Sequence, residues 1–85
     1  MELRHLLYFK AVADLLHFSK AAVQLHISQP PLTRQIKELE KELGVLLFRR
    51  NNKRVELTDA GAYFLKECKA LIGQLERSKQ LVKQI

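Results

Sequence analysis

"ISQPPLTRQIKELEKELG", residues 27 to 44, decides the fold. From Leu32 onward the stretch has the period of an amphipathic helix. At about 100° per residue, Leu32, Ile36, Leu39 and Leu43 fall within about 60° of arc and must face a core. Gly44 follows the last of them, where a left-handed cap is wanted. Two prolines, Pro30 and Pro31, stand at the entrance. With Ser28 as N-cap, Gln29, Pro30 and Pro31 form a first turn whose N–H groups have no partner inside the helix, so two missing donors break no bond there. They stiffen and partly dehydrate the leading end, which suits an end pressed against something.

Opposite the leucines lie Pro30, Arg34, Lys37 and Lys41, with Thr33 on the flank, while Glu38, Glu40 and Glu42 crowd the C-terminal half. An anionic partner is accepted at the tip and rejected along the tail. The major groove of DNA admits a helix, and Gln and Arg side chains read base edges there with paired hydrogen bonds.

A leucine-striped helix of mixed charge is also common as plain core, and its neighbours tip the balance. Leu6, Phe9, Ala13 and Leu16 space out a first helix over residues 2 to about 16. "HFSKAAVQLH", residues 17 to 26, makes a short second helix with Ser19 as its N-cap and Ala21, Ala22 and Leu25 for close packing. A short Ala-rich helix, a tight turn and a polar-tipped helix have helix-turn-helix geometry. Downstream, "LLFRRNNKRVELT", residues 46 to 58, reads as two short strands about Asn51-Asn52-Lys53, since Asn tolerates the positive φ of tight turns. This hairpin carries Arg49, Arg50, Lys53 and Arg54. Such a cluster is usually a solvated face; beside a recognition helix it is placed to grip phosphate or reach a minor groove.

Thr58 then caps a long final helix, with Asp59 at the positive end of its dipole. Phe64, Cys68, Leu71, Leu75, Ser78, Val82 and Ile85 follow a heptad seam. Residues 59 to 85 as one helix would run roughly 40 Å, longer than so small a domain needs for its own core. The outer half should therefore pack on another chain. A helix lying across its own domain suits Phe64 to Leu71 but not Val82 and Ile85. The expected organisation is a DNA-binding domain over residues 1 to 58 and a linker and dimerisation helix over 59 to 85. The pattern has no terminator, which points to a piece of a longer protein.

Composition agrees. The 85 residues carry 15 Lys plus Arg against 9 Asp plus Glu, a net charge of +6, and the pI is near 9.8. A polyanionic partner fits that balance, and a basic solubilised surface is the plainer account. The excess is largest in residues 29 to 58, with 7 basic and 4 acidic side chains. A single cysteine, Cys68, cannot close an internal disulfide, so a reducing cytoplasm is expected. Glu2, Arg4 and Asp14 within the first helix do not make a signal peptide, and no apolar run approaches a membrane span. His5, His17 and His26 lack metal-ligand spacing, no glycine-rich phosphate loop is present, and no nucleophile has a base beside it. Neither an enzyme nor a cofactor or metal site is expected. A helical protein-interaction module would account for the heptad seam but not for the acid-free tip or the basic hairpin.

The run "FSKAAVQLHISQPPLTRQIKELEKELGVLLFRR", residues 18 to 50, followed by "VELTDAG", residues 55 to 61, resembles the DNA-binding domain of LysR-type transcriptional regulators. The Ala-Ala pair, Ser-Gln-Pro, Leu-Glu, Leu-Gly, Leu-Phe-x-Arg and Leu-Thr-x-Ala-Gly occur in order, and the match covers nearly the whole chain from Leu3. The Ser-Gln-Pro-Pro-Leu variant looks most like the branch that regulates aromatic-compound breakdown. The resemblance implies a mainly α fold, a winged helix-turn-helix with a three-helix core and a two-stranded β-hairpin wing. It implies a homodimer through the linker helix, working on double-stranded operator DNA in the bacterial cytoplasm. It further implies base contacts from Gln29, Pro30, Thr33 and Arg34 at the tip, with Ser28 and Pro31 beside them. Backbone contacts fall around Ser19, Lys37 and Arg50, and wing contacts at Lys53 and Arg54. Thr33 stands where serine is more usual, and its added methyl suits a thymine neighbour. His17 stands where a small polar residue is frequent. Members continue into a periplasmic-binding-protein-like effector domain, which would lie outside this chain. Alone, the chain should bind DNA but sense no small molecule.

Overall fold

A computed structural model describes residues 1–51 and 54–85. The elements run α1 (Leu3–Leu15), α2 (Phe18–Leu25), α3 (Gln29–Leu43), β1 (Phe48–Asn51), β2 (Arg54–Leu57) and α4 (Asp59–Val82). Three helices, a hairpin and a long helix were the expected elements.

The leucine stripe of α3 buries as its spacing predicts: Leu32, Ile36 and Leu39 are inaccessible, and Leu43 packs half-buried at the edge. They meet Phe9 and Val12 of α1, Phe18, Ala21 and Ala22 of α2, and Leu47 and Phe48. Each such side chain contributes about 1.5–3 kcal/mol on burial. The two alanines leave room for α3 to lie close to α2. Phe9 stacks at 5.3 Å from Phe48 and 5.2 Å from Phe64, so one ring joins α1, the hairpin and α4. Leu16, expected on the α1 stripe, is instead its exposed left-handed cap at φ 49°.

The strands pair antiparallel with Phe48 opposite Leu57 and Asn51 opposite Arg54. Asn51, expected in the turn, is thus the last residue of β1. Asn52 and Lys53, the rest of the expected turn, lie outside the described residues.

Thr58 caps α4 as expected, accepting from the Gly61 N–H at 2.9 Å while its hydroxyl donates to the Leu46 carbonyl at 2.6 Å. Gly61 is required at this corner: a Cβ there would collide with the Leu47 carbonyl oxygen. The cap of α2 differs from expectation. The N-cap of α2 is His17, whose Nδ1 accepts from the Lys20 N–H at 3.1 Å, and Ser19 lies inside the helix. Ser28 holds the N-cap position of α3 without a side-chain cap bond. Gly44 ends α3 in the left-handed region at φ 75°, as its position predicts.

α4 packs the first part of the expected seam on its own chain. Phe64 packs against the core and Cys68 is wholly buried in it, so both are spent on their own chain. Burial, then the carboxylate of Glu67, pushes the Cys68 thiol up to about 11. Lys69 reaches Asp14 of α1 at 3.7 Å. The N-terminal part of α4, as far as Lys69, therefore packs against the winged body. Beyond it Leu71 and Val82 are 55% and 68% exposed, Ser78 is exposed and Leu75 half-buried. The helix ends at Val82, so Ile85 lies outside it.

Candidate nucleic-acid interface

The turn between α2 and α3 is three residues long, His26 to Ser28, and His26 takes the left-handed conformation at φ 59° that glycine often supplies. It delivers the leading end of α3 to the surface. Gln29, Pro30 and Arg34 are exposed and Thr33 half-buried, and no acidic residue occupies the first turn. Pro31 is half-buried.

An open groove of about 730 Å³ runs along this face, lined by Gln29, Pro30, Thr33, Arg34, Lys37, Glu38, Lys41 and Arg50. Arg50 comes from β1, so the wing and the tip of α3 share one wall. Its guanidinium lies 3.7 Å from the centre of the Phe18 ring, a cation–π contact that holds the wing against α2. Arg49, one residue earlier, takes the other face of the strand and stands opposite Glu56 in register.

A second groove of about 320 Å³ opens between the wing and the start of α2, where Ser19, Gln29, Arg50, Asn51, Arg54 and His17 converge. Within it the Ser19 hydroxyl donates to the Gln29 side-chain oxygen at 2.8 Å. Arg54 comes within 3.9 Å of Glu56, both side chains well exposed, so solvent weakens that pair and leaves most of the charge of Arg54 effective.

The two grooves join seven of the expected contact residues: Ser19, Gln29, Pro30, Thr33, Arg34, Lys37 and Arg50, with Arg54 as an eighth in the second. Ser28 and Pro31 line neither groove, and Lys53 lies outside the described residues. His17 and Asn51 also line the second groove and were not among the expected contacts. For His17 the available signal was its place one residue before a buried phenylalanine that opens a helix.

The acidic tail of α3 has a use besides the expected one. The Glu40 carboxylate accepts from the Leu47 and Phe48 N–H groups at 2.7 and 3.2 Å, tying the approach to β1 onto α3. Glu42 pairs with the Met1 ammonium at 2.9 Å. Only Glu38 of the three faces the groove. Among the described residues no group of three or more His, Cys, Asp or Glu side chains converges as metal ligands do. No described helix is long and apolar enough to cross a membrane.

Comparison with known proteins bears on this geometry. The sequence model described as "Bacterial regulatory helix-turn-helix protein, lysR family" matches residues 3–62. The HTH-type transcriptional regulator AlsR of Bacillus subtilis (strain 168) is 51% identical over 84 residues, covering 99% of this chain and 28% of AlsR. The structure of the BenM DBD/catB site 1 DNA complex matches at a TM-score of 0.97 and 44% identity, covering 100% of this chain and 94% of that one. The CbnR DBD–DNA complex matches at 0.93 and 43%, covering 99% and 97%. The chain thus spans a little over a quarter of the length of AlsR and nearly all of the two DNA-complexed chains.

Proposed function

The chain belongs to the LysR family of bacterial regulatory helix-turn-helix proteins, as its DNA-binding domain, and from that premise we propose that it reads a specific operator as one half of a homodimer. The observation that carries the reading is the shared groove: the acid-free, proline-led tip of α3 and Arg50 of the wing face the same way. A tip of that kind enters a major groove end-on. There Arg34 and Gln29 meet base edges with paired hydrogen bonds, and the Thr33 methyl packs against a thymine. Lys37 and Arg50 lie farther out, at the level of the phosphates, and Arg54 with Lys53 follows the backbone toward the minor groove.

Dimerisation through the outer half of α4 supplies the second reading head. The stripe of Leu71, Leu75, Ser78 and Val82 is exposed or half-covered, and pairing two copies of it removes that apolar surface from water. Two recognition helices then address successive major grooves, about 34 Å apart, on an interrupted inverted repeat. Effector sensing is proposed for the remainder of a longer protein, and the site of action is the bacterial cytoplasm, where the operator is.

Selection of bound duplexes from a random pool tests this. Recovery of two inverted half-sites spaced by about one helical turn is expected. Recovery of no motif, or of a single unrepeated half-site, contradicts it.

A further inference from the structure

His17 caps α2 with its ring, Nδ1 accepting from the Lys20 N–H at 3.1 Å. That bond fixes where the ring hydrogen sits. A backbone N–H can only donate, so the ring atom it meets must be a nitrogen without a hydrogen; a ring carbon or a protonated Nδ1 could not accept it. A neutral imidazole carries one N–H, and with Nδ1 accepting, that hydrogen is on Nε2. While it caps the helix, the ring therefore meets any further partner as a donor.

Its surroundings call for an acceptor from outside. His17 is exposed and lines the groove between the wing and the start of α2, with Arg50, Asn51 and Arg54. Both arginines have donors only, so neither can take the Nε2–H, and Ser19 and Gln29 are bonded to each other. Among the described residues the cap is the one hydrogen bond of the His17 side chain, and no described Asp or Glu lines this groove. A ligand that suits it brings negative charge and several acceptors, which is the chemistry of a phosphodiester. The groove at the tip of α3 is a separate one that His17 does not line, and Arg50 joins the two. In a helix-turn-helix the second helix reads base edges while the first crosses the sugar-phosphate backbone, and His17 stands at the leading end of that first helix.

We propose that His17 is a further DNA contact, a neutral donor whose Nε2–H binds one backbone phosphate while its Nδ1 caps α2; this rests on the DNA-reading function above. The cap bond keeps the hydrogen on the nitrogen that meets the phosphate. Because the ring is uncharged it displaces no counterion, so it adds affinity without steepening the salt dependence, unlike a lysine or arginine contact.

The test uses the 85-residue chain as parent, His17→Ser and His17→Ala. Serine is a good N-cap but too short to reach the partner of Nε2, so it separates the two roles. His17→Ser is expected to keep the urea midpoint of the parent and His17→Ala to lower it, while both bind the selected duplex about three- to tenfold more weakly, the worth of one exposed hydrogen bond. The salt slope and the selected motif should be those of the parent. In a series of duplexes with one phosphate at a time replaced by a neutral methylphosphonate, one position should cost the parent about three- to tenfold more than it costs His17→Ser. Each cost is taken within one variant, so any uniform loss cancels. Full affinity in His17→Ser makes the ring a cap alone and overturns the proposal. So do methylphosphonate costs that are equal in the two chains, a salt slope lowered by about one in His17→Ser, or a motif changed at one base. All four leave the DNA-reading function intact. If the parent selects no duplex, that function fails and the inference falls with it.

Discussion

The tip of α3 and the far half of α4 are both exposed helical surfaces, and they are built in opposite ways. α3 spends its entire apolar stripe inside its own chain and leaves outward a face of Gln29, Pro30, Arg34 and Lys37. α4 spends Phe64 and Cys68 the same way, then continues with Leu71 and Val82 standing in solvent. What each leaves uncovered differs in chemistry. A basic, acid-free tip gains from an anion, and water is a good solvent for it meanwhile; an apolar stripe gains only from another apolar surface. One helix is made to meet DNA, and the proposed partner of the other is a copy of itself.

The largest expected effect breaks the α4 side. Leu71→Asp replaces a side chain that is exposed in the single chain and first in the proposed seam. Burying an unpaired carboxylate there costs at least about 3 kcal/mol, roughly a hundredfold in dimer affinity, so sedimentation should show monomer. A dimer of undiminished strength would move the contact elsewhere. Leu71 is a cleaner probe than Leu75, which is half-buried already. Next comes the corner that joins the two regions. Gly61→Ala forces a methyl against the Leu47 carbonyl, and a loss of about 2–3 kcal/mol in denaturant unfolding is expected. On the α3 side, Arg34→Ala should weaken the selected duplex by about 1–3 kcal/mol with little change on random DNA. Equal losses on both would demote Arg34 to a phosphate contact. The smallest effect separates cap from contact: His17→Ala should cost about 1 kcal/mol of stability, and Ser19→Ala much less. The reverse order would restore Ser19 as the cap of α2.

The same contrast explains what could be read from the residues alone. The α3 helix was legible because its information is local: a four-residue apolar stripe, a glycine at the cap and a tip free of acids all lie within eighteen consecutive positions. The partition of α4 was not. A heptad pattern records that a stripe is apolar, and Phe64 and Cys68 satisfy it whether the surface they meet is their own α1 or another chain. Glu40 has a second use for a related reason. Beside its charge, it accepts two N–H bonds from residues seven and eight positions ahead, a pairing that no helical period encodes. His17 was passed over because serine is the commoner cap and one stood two residues later. The Leu-Thr-x-Ala-Gly run was visible as a motif, but the need for glycine at 61 arises only once the Leu47 carbonyl lies against it.

The central claim is that the proline-led end of α3, together with the wing, is the surface that meets DNA. Amide chemical-shift mapping of the ¹⁵N-labelled chain, titrated with the duplex it selects, tests that claim most directly. The largest changes are expected at Gln29, at Thr33 to Lys37, and at Arg50 and Arg54, with Leu71 to Val82 nearly still at a concentration where the dimer is already formed. If the changes instead concentrate on the outer half of α4 and spare Gln29 and Arg34, the assignment of the two surfaces is wrong.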